Sequence, residues 1–260
     1  MNVARLFLIV LLSAVPGFAH AAEADYHHVH LNVTNGDVAA QWYIAHMGCE
    51  AIAARTDAAR CGSVQLLFIN RPPRGGNEGT AIDHFSFSVP DLNATIKGFI
   101  KIGVGGTGIR VMDRESPIRE LPGLFKVAYV KDPWGTKIEV VEDAEHLGFH
   151  HVHLFSANPS AALTWYQSTL GGKPAKLKGQ IDGLMYGTTW LVITSQPEPG
   201  PLQPTEGRTI DHLGFALSNL DAAATELQKK GVQLRRDQSA GAKVAMISGP
   251  DNVLIEATQP

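Results

Sequence analysis

Two short stretches of this chain nearly repeat each other: Tyr26-His27-His28-Val29-His30-Leu31 and Phe149-His150-His151-Val152-His153-Leu154. The repeat extends further. Trp42-Tyr43 recurs as Trp165-Tyr166, and Ile82-Asp83-His84 recurs as Ile210-Asp211-His212. Glu139, near the end of the first copy, has its counterpart in Glu256. Each copy therefore carries two histidines and a glutamate at corresponding places, a nitrogen and oxygen donor set able to hold a divalent metal. One strand histidine or glutamate alone is usually an ordinary hydrogen-bonded or solvated residue. Recurrence of all three points to a site, although duplication copies residues whether or not they still work.

Strands must position these side chains, and side chains alternate across a strand. In residues 28–33, Val29, Leu31 and Val33 share one face, opposite His28, His30 and Asn32. In residues 84–89, Phe85, Phe87 and Val89 oppose His84, Ser86 and Ser88, and Ile138 and Val140 flank Glu139. The second copy sets His151 and His153 against Val152 and Leu154, and His212 and Gly214 against Leu213 and Phe215. Glu256 lies between Ile255 and Ala257. The apolar faces are expected to pack on helices and the polar faces to line a concave, solvent-reaching surface.

Each copy reads as two strand–helix–strand–strand–strand units. Asn35, Asp91 and Asn158 suit helix N-caps, with Pro159 in a first turn. Gly48, Gly103, Gly171 and Gly231 stand where those helices and a fourth, over about 220–230, end. Pro/Gly-rich linkers over 71–79 and 196–204 part the units of each copy, and residues 143–148 join the copies.

Residues 1–22 read as a secretory signal peptide: Arg5, a short apolar run over 6–15, then Ala19-His20-Ala21 as cleavage signal. The rest lacks any long apolar run, so no membrane partner is expected after cleavage. Roughly 240 residues remain, which suits two domains. Loss of Arg5 takes the formal charge from −3 to −4, which gives no reason to expect nucleic acid. The protein is expected to be exported, periplasmic or secreted. Its only cysteines are Cys49 and Cys61. Export permits a disulfide. A hairpin turning near Asp57-Ala58 would instead place Cys61 opposite about Ala54, which leaves the pairing open.

Both copies resemble domains of the vicinal oxygen chelate superfamily, which holds glyoxalase I, type I extradiol dioxygenases, and the fosfomycin- and bleomycin-resistance proteins. The best local motif is Lys131-Asp132-Pro133-Trp134-Gly135-Thr136-Lys137-Ile138-Glu139, matching that family's D-P-x-G-x-x-x-E ending. The resemblance implies an α+β fold of two tandem domains, over 26–142 and 149–258. Each would pair two βαβββ units into a cup-shaped mixed sheet with helices outside. It also implies a metal held by the first strand of each unit and the last strand of the second. That nominates His28, His84 and Glu139 in one cup, and His151, His212 and Glu256 in the other. Glyoxalase-like members add a fourth ligand, whose place falls on Gln65 and on Trp190. The second copy's closing motif has drifted to Gly249-Pro250-Asp251-Asn252, which could tilt its last strand and turn Glu256 away.

His30 and His153 share the cup face and suit acid–base or supporting roles, or simply polar walls. Tyr129 lies where extradiol enzymes place a site tyrosine. His27 and His150 precede the strands and are expected to be exposed. An insertion over 105–124 with Arg110, Arg114 and Arg119 could close over an anionic ligand.

The implied function is a metal-dependent enzyme, dioxygenase or glyoxalase-like lyase or isomerase, acting on a small-molecule substrate through vicinal oxygens. The ion is divalent, with Fe, Mn, Zn and Ni all open. The chain offers no match for the extra histidines of extradiol enzymes, which counts against catechol cleavage. Export counts against the glutathione-dependent glyoxalase reaction. The alternative is a metal-free small-molecule binding protein of the bleomycin-resistance type. Oligomeric state stays open.

Overall fold

A computed structural model describes residues 24–237 and 243–259; the leader expected over 1–22 lies outside the described residues. Four units follow one another. The first holds β1 (Ala24–Val33), α1 (Gly36–Met47), β2 (Glu50–Ile52), β3 (Arg55–Cys61) and β4 (Val64–Asn70). The second holds β5 (Ile82–Ser88), α2 (Leu92–Val104), β6 (Arg110–Val111), β7 (Arg119–Glu120), β8 (Lys126–Lys131) and β9 (Lys137–Val141). The third holds β10 (Gly148–Ser156), α3 (Pro159–Leu170), β11 (Lys173–Leu177), β12 (Ile181–Tyr186) and β13 (Thr189–Ser195). The fourth holds β14 (Ile210–Leu217), α4 (Leu220–Lys229), β15 (Leu234–Asp237), β16 (Val244–Ser248) and β17 (Leu254–Thr258). The caps form as read: Asn35, Asp91 and Asn158 each accept from a backbone N–H three residues on, and so does Asn219.

The α+β class holds, but the units pair differently from the expected one cup per copy. One mixed sheet runs β15-β16-β17-β14-β1-β4-β3-β2, so the first unit joins the fourth. The other runs β11-β12-β13-β10-β5-β9-β8-β6, so the second joins the third. The boundaries 26–142 and 149–258 therefore mark sequence copies, while each cup takes one unit from each copy. The linkers help impose this. Asn77 is buried in the first linker; its Oδ1 accepts from Thr209 Oγ1 and Ile210 N, and its Nδ2 donates to Ile210 O. Arg74 N donates to Gly207 O, and Thr209 N donates to Gly75 O. Gln203 N, in the second linker, donates to Gly79 O in the first, and β14 is delivered beside β1.

The apolar faces meet in one shared core. Val29, Leu31, Phe85, Leu213 and Phe215 are fully buried. Rings interlock between sheets, with Tyr26 on Phe149 at 6.4 Å and Tyr186 on Phe215 at 5.1 Å between centroids. The sheets thus pack on each other as well as on helices.

The β2–β3 hairpin turns earlier than expected, at Ala53-Ala54, where Ala54 takes a left-handed φ of 64°. Glu50 then pairs with Arg60, and a Cys49–Cys61 disulfide closes the hairpin's base.

Candidate metal centres

Antiparallel pairing of first strands is the feature that builds each site. In one sheet β1 pairs β14 with His30 opposite His212 and His28 opposite Gly214. In the other, β10 pairs β5 with His153 opposite His84 and His151 opposite Ser86. The closing strands then bring in the carboxylates: β17 sets Glu256 beside Gly214, and β9 sets Glu139 beside Ser86.

The first centre consists of His28, His30, His212 and Glu256. Their donor atoms all lie within 4.8 Å of one another. His212 Nε2 is 3.2 Å from Glu256 Oε2, His28 Nε2 is 3.5 Å from Oε1, and His30 Nδ1 is 3.8 Å from Oε2. The altered Gly249-Pro250 turn has not turned Glu256 away. The second centre consists of His84, Glu139, His151 and His153. Its Glu139 Oε2 is 3.2 Å from His151 Nε2 and 3.6 Å from His84 Nε2. All six nominated ligands therefore converge, in two sets, but the expected partners are corrected. His28 belongs with His212 and Glu256, and His151 with His84 and Glu139. Either pairing of units yields two histidines and one glutamate, so the residue types alone do not distinguish them.

The ligand faces are also drier than expected. His28, His84, His151, His212 and Glu139 are each at most 5% exposed. His28 Nε2, His84 Nε2 and Glu139 Oε2 are buried with no hydrogen-bond partner. Buried polar atoms are nearly always satisfied, so convergent orphan donors fit a cation. Two imidazoles and a carboxylate suit a divalent first-row ion. Gly214 adds to the fit: a Cβ there would overlap the His28 ring, so glycine makes the cradle in which that ring lies.

Four β-bulges bring in residues that strict alternation hides. β1 and β14 slip by one residue at His27 and again at Asp211; β10 and β5 slip at His150 and at Asp83. A bulge re-aims the extra side chain. As a result Asp83 Oδ2 lies 2.6 Å from His84 Nδ1, and Asp211 Oδ1 lies 2.6 Å from His212 Nδ1. Each aspartate holds the Nδ1 proton and leaves Nε2 to face the centre. Asp83 is braced by Lys137 at 2.6 Å, and Asp211 by Asn32 and the Gly207 N–H, both at 2.7 Å. The repeated Ile-Asp-His triplet was the signal for these two aspartates. His150 is fully buried rather than exposed, and His27 is half-buried. Their Nδ1 atoms each lie 2.8 Å from Nδ1 of the following histidine.

Electrostatics separate the histidines of each centre. Burial would lower His84, but the Glu139 and Asp83 carboxylates outweigh it and raise its pKa. Asp211 and Glu256 do the same for His212 against burial. Burial and neighbouring imidazoles, His30 foremost, depress His28. Burial brings His30 down to about 4 and His153 to about 3, with His212 and His84 respectively adding to the effect. Burial opposes ionisation of Glu139, yet His84 and His151 hold it well below the usual carboxylate range. In each centre one histidine thus keeps its proton more readily than its neighbours, and an incoming cation would displace that proton.

The centres differ in their surroundings. Tyr129, on β8 opposite Glu139, donates its hydroxyl to Glu139 Oε1 at 2.7 Å. Met246 takes that place opposite Glu256. At the expected fourth-ligand positions, Gln65 stands beside His28 and Trp190 beside His151. His153 Nε2 lies 2.7 Å from Thr194 Oγ1. Above the second centre the insertion forms a wall of a cavity of about 450 Å³, with His84, Tyr129, His153, Met112, Pro117 and Arg119 among its lining. Arg119 sits over the Tyr129 ring, 5.5 Å from its centroid. A larger cleft, about 950 Å³, lies between α3 and strands β11–β13 and contains none of the eight residues of the two centres.

Fold and site together define a cup-forming βαβββ architecture with paired His/Glu centres. Residues 148–257 match the family described as the Glyoxalase/Bleomycin resistance protein/Dioxygenase superfamily. Glyoxalase I from Zea mays has the same fold, with a TM-score of 0.69 at 16% identity over 91% of this chain and 92% of that one. A proposed dioxygenase from Bacillus subtilis gives a TM-score of 0.62 at 14% identity, over 93% of this chain and 86% of that one. No curated protein sequence matches the chain. Residues 148–257 thus match that superfamily by sequence, and the described chain has the fold of glyoxalase I.

Proposed function

We propose that this protein is a metal-dependent enzyme that acts on a small molecule through two adjacent oxygens, of dioxygenase or glyoxalase-like lyase or isomerase type. The observation that carries this reading is the convergence of His28, His212 and Glu256 and of His84, His151 and Glu139, with His28 Nε2, His84 Nε2 and Glu139 Oε2 buried and without a hydrogen-bond partner. A divalent ion held there would supply Lewis acidity and a template for the substrate oxygens. His28, His212 and Glu256 would hold it at one centre, and His84, His151 and Glu139 at the other. Asp83 and Asp211 keep the Nδ1 proton of the neighbouring histidine, so the Nε2 lone pair faces the centre, that of His212 also meeting His30 Nδ1. Tyr129 orients Glu139 through Oε1 and leaves Oε2 for the centre. His153 and His30, kept neutral by burial, are the bases placed to take a proton from a substrate. The cavity above the second centre, within the size range of small-molecule pockets, admits that substrate. Arg119 at its wall favours an anionic one.

The Cys49–Cys61 disulfide supports export to an oxidising compartment, periplasmic or extracellular. Fractionation and N-terminal sequencing of the mature protein test that part. Metal analysis tests the rest. Protein purified from its exported compartment should carry a divalent ion at each centre, and Glu139→Ala and Glu256→Ala should each lose one equivalent. Metal-free protein whose variants change nothing would favour the small-molecule binding protein instead.

A further inference from the structure

Behind the second centre, a line of hydrogen bonds runs from His151 to a buried carboxylate. His151 Nδ1 lies 2.8 Å from His150 Nδ1. His150 Nε2 lies 3.3 Å from Asp143 Oδ2. Asp143 and His150 are buried, at 3% and 0% exposure. The other carboxylate oxygen, Oδ1, accepts from Lys178 Nζ at 2.9 Å and from Glu145 N at 3.1 Å. Phe125 and Trp190 pack their rings around His150, so solvent does not compete for its nitrogens.

The proton positions along this line follow from counting. A carboxylate only accepts, so His150 Nε2 must carry the hydrogen. A neutral imidazole has one N–H, so His150 Nδ1 is then an acceptor. His151 Nδ1 must donate to it. A cation on His151 Nε2 requires this same tautomer, with the lone pair turned to the centre; Glu139 Oε2, 3.2 Å from Nε2 and also only an acceptor, competes for a proton there until a cation is bound. In the first centre the same bulge places His27 against His28, with Nδ1 atoms 2.8 Å apart. There the far nitrogen meets the Gln65 side-chain amide at 3.3 Å, not a carboxylate. An amide can turn to accept or to donate, so it imposes no tautomer.

We infer that Asp143 is a positioning residue for the second centre, which through His150 fixes the His151 tautomer and makes that centre the tighter of the two for a divalent cation. This rests on the metal-centre reading above. Partners behind a metal-bound histidine affect affinity by about 10–100-fold. Asp143 acts one histidine further away, so about tenfold is expected.

The test has two parts. In metal-free protein, ¹⁵N NMR of histidine should show His150 protonated at Nε2. The opposite tautomer overturns the inference, and this readout needs no metal. In the second, Co²⁺ is titrated into Glu256→Ala protein, which retains only the second centre, and into Glu139→Ala protein, which retains only the first. The second centre should bind about tenfold more tightly. Adding Asp143→Asn should remove that advantage. Adding Lys178→Met instead, which leaves the histidine line intact, should change the constant less than about twofold. Equal losses in both variants would make Asp143 merely structural, and no loss in Asp143→Asn would remove its role. A third bound ion lost with Asp143 would assign Asp143, His146 and His150 to a site of their own and overturn the line. Absence of Co²⁺ binding in wild type, with the His150 tautomer as stated, would sink the metal-centre reading while leaving the hydrogen-bond line standing.

Discussion

Tyr43 and Tyr166 occupy matching positions in the duplication and are both fully buried, yet their removal should have opposite effects. Tyr43 Oη donates to Asp132 Oδ2 at 2.7 Å. Asp132 is itself buried, and its Oδ1 already accepts from Thr136 N at 2.7 Å and Trp134 N at 3.0 Å. Burial pushes the Asp132 pKa up, and Tyr43 is the leading contact that opposes this. The counterpart of Asp132 is Gly249, the residue before the shared proline, so Tyr166 Oη has no partner. Tyr43→Phe strips a buried charged acceptor of its donor, which costs about 1.5–3 kcal/mol. Tyr166→Phe removes a hydroxyl buried without a partner, a change worth about 0–1 kcal/mol in favour of folding. The gap between variants should be about 1.5–4 kcal/mol. Equilibrium urea unfolding with the disulfide intact reads it as a midpoint shift at constant slope. In a fold of this size Tyr43→Phe should also lower Tm by about 3–12 °C. The Asp132 turn leads into β9 and Glu139, so Tyr43→Phe should weaken metal binding at the second centre only. Equal destabilisation by the two substitutions would refute the claim that the altered turn orphaned Tyr166.

Gly214→Ala should displace the His28 ring and cost one metal equivalent, read by metal analysis, with the second centre unaffected. Arg119→Met should erase selectivity for anions: wild-type protein should bind succinate monohydroxamate about tenfold more tightly than acetohydroxamate, a difference of ~1.4 kcal/mol that the variant loses. Equal selectivity in both proteins by calorimetry would show that Arg119 does not contact the ligand. Acid should expose the role of Asp143. Burial alone would raise its pKa, but Lys178, the Glu145 N–H and His150 hold it at about 2. A depressed carboxylate stabilises the fold above its unfolded value near ~3.9 and loses that contribution as pH falls through about 2, for a total of about 2 kcal/mol. The stability gap between wild type and Asp143→Asn should therefore close between about pH 4 and pH 2. A gap that persists at the lower pH would remove this account.

Much of the site was legible in the chain because the information is local. Alternation placed His28, His30, His84, His151, His153 and His212 on the faces opposite the apolar residues, and those faces line the centres. Helix caps followed from Asn35, Asp91 and Asn158, whose short side chains reach backbone N–H groups three residues on. The Asp132-Pro133 motif marked the turn that leads into Glu139. Chain duplication then identified the second set of donors.

What local pattern could not decide was which units meet. All four present the same apolar face, and either pairing collects two histidines and a glutamate. Only long-range contacts choose, among them Asn77 in one linker holding Thr209 and Ile210 at the start of β14. The bulges were hidden for a related reason. A bulge is a property of two strands in register, so strict alternation within one strand sends Asp83, Asp211, His27 and His150 to the wrong side. The disulfide turned on a similar detail: Ala54 adopts a left-handed backbone conformation, and that moved the hairpin turn and set Cys49 against Cys61. The sequence by itself thus determined the donor types and the strands that carry them. The tertiary structure decided the partners of each donor, because partnership depends on strand pairing between segments far apart in the chain.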